Sequence, residues 1–164
     1  MILGMTTLTF VHVVLSLIGI ASGLVVVIGL LGGKRLNGWT TLFLASTTLT
    51  SVTGFFFPFH KVLPSHILGV LSLLALLLAT MALYRLQLSG AWRRVYVISA
   101  VIALYFNVFV LIAQLFQKVP ALKALAPTGS EPTFLVVQLF VLLTFVAIGV
   151  MATKRFRLAT IGAD

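Results

Sequence analysis

The sequence predicts an all-α membrane protein, a bundle of five transmembrane helices with the N-terminus outside and the C-terminus in the cytoplasm. Three observations carry that expectation. The 164 residues are 61% hydrophobic and 8% charged, against roughly 45–50% apolar and 25% charged in ordinary soluble domains. A bilayer-spanning helix needs about 20 mainly apolar residues, and five such runs occupy 8–31, 40–59, 66–84, 95–116 and 133–153. Basic residues alternate between loops: Lys34, Arg35, Arg85, Arg93, Arg94, Lys154, Arg155 and Arg157 fall on one side, Lys61, Lys118 and Lys123 on the other. Eight against three is a positive-inside bias, which places the richer side in the cytoplasm, where it meets anionic lipid headgroups. Little is left for a soluble part, so 1–164 reads as one transmembrane domain.

No Lys or Arg precedes the first run, and its 24 residues exceed the apolar core of a signal peptide, so it is expected to be a retained helix. Within it His12, Ser16, Gly19 and Gly23 follow at offsets of four, three and four, which puts them on one helical face. Gly19 and Gly23 make a small-xxx-small pair and, with Ser16, a helix-packing seam. The basic loops "GGKRLNGW" and "RLQLSGAWRR" each end near a tryptophan, and Trp39 and Trp92 are expected to anchor at the membrane edge.

The second run carries Ser46, Thr47, Thr48, Thr50, Ser51 and Thr53, hydroxyls that bond back to their own helix and are tolerated in lipid. "GFFFPF" closes it with an aromatic cluster, Pro58 ending or kinking the helix. After Pro64, Ser65 is placed to cap the third helix, with His66 in its first turn. His12 precedes Trp39 by 27 residues and His66 precedes Trp92 by 26, a weak tandem repeat of two hairpins. Asn107 and Gln114 of the fourth run lie seven apart on one face, and Gln138 stands near the outer end of the fifth. In the loop "QKVPALKALAPTGSEP" the segment "ALKAL" is expected to form one helical turn on the outer surface.

Several chemistries are excluded. With no cysteine there are no disulfides, thiolate metal sites or covalently attached haem. Glu131, in an outer loop, and Asp164, at the last position, are the only acids, so the runs hold none of the carboxylates on which ion-coupled transport relies. No nucleophile elbow, P-loop, dinucleotide fingerprint or metalloprotease helix occurs, and no catalytic residue is assigned. The net charge of +9 is scattered over loops, which excludes a nucleic-acid face.

Side-chain polarity other than hydroxyls collects in the outer half. His12 and His66 open two descending helices, with His60 between them in sequence. Neutral imidazole ligates haem iron and divalent metals, and its second nitrogen is held by a further polar group. His12, His66 and His60 are therefore the candidate ligands of a b-type haem or metal, Gln114, Gln138 and Asn107 the candidate groups behind them, and Phe55, Phe56, Phe57 and Phe59 the walls for a haem or quinone ring.

The stretches "NGWTTLFLASTTLTSVTGFFFPFH" and "YFNVFVLIAQLFQKVPALKALAPTGSEPTFLVVQ" resemble an uncharacterised family of small multi-span bacterial inner-membrane proteins. That resemblance implies the bacterial inner membrane as location and brings no activity with it. More loosely, a histidine opening a helix, a basic loop and a second histidine-bearing hairpin are similar to small b-type cytochrome membrane proteins.

Three functions follow as expectations. The first is an accessory or interaction subunit of a membrane complex, or a self-associating module. The second is an electron-transfer protein binding b-type haem or quinone at an outer histidine site. The third is a carrier or channel for a small neutral solute along the hydroxyl-rich second helix.

Overall fold

The computed structural model describes residues 6–57 and 64–158. His60, Pro58, Phe59, Lys61 and Asp164 lie outside them. The elements are α1 (Thr7–Leu31), α2 (Asn37–Gly54), α3 (Pro64–Thr80) continued by a π-helical turn (Met81–Arg85), α4 (Trp92–Lys118), a short α5 (Pro120–Leu125) and α6 (Pro132–Leu158).

Local chemistry sets their ends. Thr6 caps α1, its hydroxyl accepting from the Thr9 N–H at 3.2 Å. The helix stops at Gly33, whose φ of +71° is the left-handed conformation glycine adopts without strain. The Lys34 N–H then reaches Gly29 O at 2.8 Å and the Gly33 N–H reaches Leu30 O at 3.1 Å, a Schellman closure. α5 starts at Pro120 after an extended Val119, as the restriction on pre-proline residues requires. It is the turn expected from "ALKAL". α3 begins at Pro64, so Ser65 stands inside the first turn rather than at the capping position.

Four helices are long and apolar enough to cross a membrane: Thr7–Leu31, His66–Arg85, Trp92–Lys118 and Pro132–Phe156. α2 is not among them. Eight of its eighteen residues are Ser or Thr, and it ends at Gly54, short of the expected 59. There the Phe55 and Phe56 N–H groups turn back to Val52 O and Thr53 O, both at 3.1 Å. Four of these eight hydroxyls bond back within the helix: Thr41 to Asn37 O, Ser46 to Leu42 O, Thr50 to Ser46 O and Thr53 to Leu49 O.

The helices run up and down. α1 packs on α2, α3 on α4, α2 on α3 and α1 on α4, while α6 lies against α4 and α1. One end is basic, and contacts there join Thr41 to Tyr84, Thr40 to Tyr96 and Arg155 to Leu31 O. The other end, the histidine end, is joined by His12 to Thr53 and Phe116 to Phe134. The dry core fills the basic half: Val26, Leu30, Phe43, Leu76, Tyr96, Val97, Leu104 and Phe156 are all buried in it. The exterior is apolar, with Ile28 68% and Phe140 70% exposed, the inverse of a water-facing surface and suited to lipid.

Candidate functional site

Toward the histidine end the seam between α1, α2 and α4 changes character. His12, Ser16 and Gly19 of α1 face it, and each meets polarity. The His12 Nδ1 lies 2.9 Å from Thr53 Oγ1. Thr53 donates its own proton to Leu49 O at 2.8 Å, with Thr50 O at 3.1 Å, so its oxygen accepts from His12. That hydrogen bond assigns the proton to Nδ1, and neutral imidazole then keeps its lone pair on Nε2. The Phe57 ring stands edge-on to His12 at 5.2 Å between centroids.

One turn deeper, Ser16 Oγ donates to Asn107 Oδ1 at 2.9 Å. Gly19 is the middle residue of α1 and marks the midpoint of the bundle. A methyl group there would lie 2.8 Å from Thr47 Oγ1, 3.0 Å from Asn107 Nδ2 and 3.4 Å from Ser46 Oγ. Only a glycine lets α2 and α4 approach this closely. Thr47 is 1% and Asn107 8% exposed, and both Thr47 Oγ1 and Asn107 Nδ2 lack a hydrogen-bond partner among the described residues. Two unpaired polar atoms thus converge on Gly19, and a group left so costs about 1–3 kcal/mol.

Immediately below, toward the basic end, the seam is closed. A methyl at Gly23 would meet Leu104 Cδ1 at 2.6 Å and two Phe43 ring carbons at 2.9 Å. Here van der Waals contact replaces polarity, and the dry core begins.

The remaining candidates are dispersed. His66 lies near Phe55, ring centroids 6.0 Å apart, so the two described histidines contact different members of the aromatic turn. Gln138 donates through Nε2 to Phe109 O at 3.1 Å and leaves its buried Oε1 unpartnered among the described residues. Gln114 is exposed. Asn107 serves Ser16, not a histidine. No group of three or more His, Asp or Glu converges among the described residues, and the candidate ligand His60 lies outside them. The His12 ring is held by the Thr53 hydroxyl at Nδ1, which leaves its Nε2 directed away from that hydroxyl.

Near the same end, the Glu131 carboxylate accepts from the Thr128 N–H and Oγ1, both at 2.9 Å, and the Ser130 N–H at 3.0 Å. The Thr128 N–H foremost holds its pKa below the ordinary 4.5.

Sequence reasoning put Ser16 and Gly19 on one face of α1 and Asn107 with Gln114 on one face of α4; Ser16 and Gly19 both meet Asn107, whereas Gln114 is exposed. It also missed Thr47 as the exception within α2. No spacing signal singles it out among the α2 hydroxyls. That the buried Thr47 hydroxyl is left without a partner among the described residues depends on tertiary packing. Comparison with family models, with curated proteins and with solved structures finds no match to this chain.

Proposed function

We propose that the chain is a five-span protein of the bacterial inner membrane, N-terminus outside and C-terminus cytoplasmic, that takes up a small neutral solute in the α1–α2–α4 seam. The observation behind this reading is the pair of buried, unpartnered atoms, Thr47 Oγ1 and Asn107 Nδ2, on either side of Gly19. Unpaired donors at mid-bundle are retained at a cost in stability, as functional sites often are. Asn107 Nδ2 donates only, and the Thr47 hydroxyl donates or accepts. A matching solute carries an acceptor oxygen, as do water, glycerol and urea. An ion does not match, because no opposite charge lines the seam and desolvation is costly there. Neither atom reaches solvent in this arrangement, so loading requires the seam to part.

The test is light-scattering uptake of water, glycerol and urea by proteoliposomes. Wild-type vesicles should equilibrate faster than empty ones for at least one of the three. Thr47→Val keeps the side-chain shape and removes the hydroxyl, so it should slow uptake toward the empty rate while stabilising the fold by about 1 kcal/mol. Rates equal to those of empty vesicles for all three solutes would overturn the reading.

A second reading has its own observation. His12 Nε2 holds a lone pair fixed in direction by Thr53, beside Phe57, and this supports b-type haem or quinone binding at the outer side. Haem bands in the purified protein, lost in His12→Ala, are the expected result of that reading. The accessory-subunit reading draws on faces other than the α1 glycines, because Gly19 and Gly23 are occupied within the chain.

A further inference from the structure

We infer that the Gly19 site is single-ended: it loads from the histidine end by separation of α1 from α2 and α4, and the Gly23–Phe43–Leu104 contact seals it from the basic end. The inference rests on the solute reading above and makes the protein a carrier whose resting arrangement is closed to the basic end, the seal parting in turn only once a solute occupies the site. Two independent features of the seam carry it. On the histidine side of Gly19 the facing groups are polar, namely Ser16 with Asn107 and then His12 with Thr53. Separating α1 there exposes groups that water satisfies at once, so opening is cheap. On the basic side the contact is apolar and tight, with no room for a single added carbon at Gly23. Leu104 is 0% and Phe43 1% exposed. Opening this half exposes hydrocarbon to water and loses close contacts, both unfavourable.

The unpaired Thr47 and Asn107 atoms tilt the balance in the same direction. They gain partners when the seam admits water or solute from the polar side, and this offsets part of the cost of parting the helices. Beyond the seal, the next side-chain hydrogen bond between α2 and α4 joins Thr40 and Tyr96, whose hydroxyl oxygens lie 3.4 Å apart at the basic end. The polar stretch that begins at His12 therefore stops at mid-bundle.

The chain has no cysteine, so single introduced thiols report access without interference. Thr47→Cys, Ser16→Cys and Thr40→Cys are each treated with the impermeant reagent 2-(trimethylammonium)ethyl methanethiosulfonate, in right-side-out and in inside-out vesicles. Thr47→Cys and Ser16→Cys are expected to be modified from the histidine end and not from the basic end, and Thr40→Cys not from the histidine end. Adding Leu104→Ala, which loosens the seal, should make Thr47→Cys reactive from both ends. Modification of Thr47→Cys from the basic end with Leu104 intact overturns the seal, and modification from neither end overturns the entry route. The failure of the solute reading looks different: one-ended labelling with no solute uptake by the wild type. Uptake together with two-ended labelling keeps the solute and discards the single-ended site.

Discussion

Thr53 accepts a hydrogen bond from His12 Nδ1 at 2.9 Å while its own proton serves Leu49 O at 2.8 Å, a relay from α1 through a hydroxyl into the α2 backbone. The arrangement fixes one imidazole tautomer because the threonine proton is already committed. Thr53→Val removes the acceptor, and the imidazole nitrogen shifts of His12, read by NMR in nanodiscs, should then show a mixture of tautomers. Thr53→Ser should restore the single form. The stability lost in Thr53→Val is expected near the ~0.6 kcal/mol average for interhelical hydrogen bonds in membrane proteins. An unchanged tautomer in Thr53→Val would mean that something other than this hydroxyl orients the ring.

The glycines of this chain differ sharply in what surrounds them. At Gly23 an added methyl collides with Leu104 and Phe43, at 2.6 and 2.9 Å, whereas at Gly38 nothing lies within 4 Å. Gly23→Ala should therefore destabilise by about 1–3 kcal/mol through overpacking. Gly38→Ala should stabilise by up to about 1 kcal/mol through helix propensity. Thermal unfolding of the two variants in the same detergent checks the contrast. Combining Gly23→Ala with Leu104→Val should recover part of the loss, because the shorter side chain vacates the point of collision.

The elements were legible in the sequence because each is set by nearby residues. The apolar runs mark α1, α3, α4 and α6, prolines open α5 and α6, and Gly33 closes α1. α2 was legible as a helix, but its hydroxyl content and its end at Gly54 make it less apolar and shorter than the run at 40–59 suggested. The offsets of His12, Ser16, Gly19 and Gly23 gave the correct face of α1. What that face meets is a tertiary matter. Ser16 and Asn107 are 91 positions apart, and no periodicity links residues so distant. His12, Ser16, Thr53 and Asn107 do meet in the seam toward the histidine end, yet the two unpaired atoms stand beside Gly19, where helix packing rather than composition decides which hydroxyls find partners.

The end of α3 holds non-glycine residues in left-handed conformations, Gln87 at φ +48° and Leu88 at φ +59°. The Leu88 N–H closes on Ala82 O at 2.9 Å, and its side chain is 8% exposed, packed in the core. Gln87 is exposed, so no burial compensates its strain. Left-handed backbone costs an L-residue about 1–2 kcal/mol, part of which glycine gives back through its freer unfolded chain. Gln87→Gly should thus stabilise by somewhat under about 1 kcal/mol. Leu88→Gly should destabilise by about 2 kcal/mol or more, since the lost core contact outweighs the relief. Chemical unfolding of the pair decides it, and equal signs would remove the distinction drawn from burial.

Glu131 is expected to set the acid response of the loop before α6. Its carboxylate accepts two N–H groups and the Thr128 hydroxyl, and these donors, the Thr128 N–H first, hold its folded pKa below the ordinary 4.5. A depressed carboxylate pKa stabilises the folded loop above the unfolded value, and the contribution disappears as pH falls through the folded one. The loop order should accordingly be constant from neutral pH down to about 4.5 and be lost only below it. Carbon NMR of the Glu131 carboxyl group, followed from pH 7 downward, should titrate below a free glutamate in the same buffer. Thr128→Ala removes the hydroxyl but keeps the backbone donor, so it should move the midpoint only part of the way back. Glu131→Gln should abolish the acid transition of the loop. A midpoint at or above that of free glutamate would show that the three donors do not hold the carboxylate in solution.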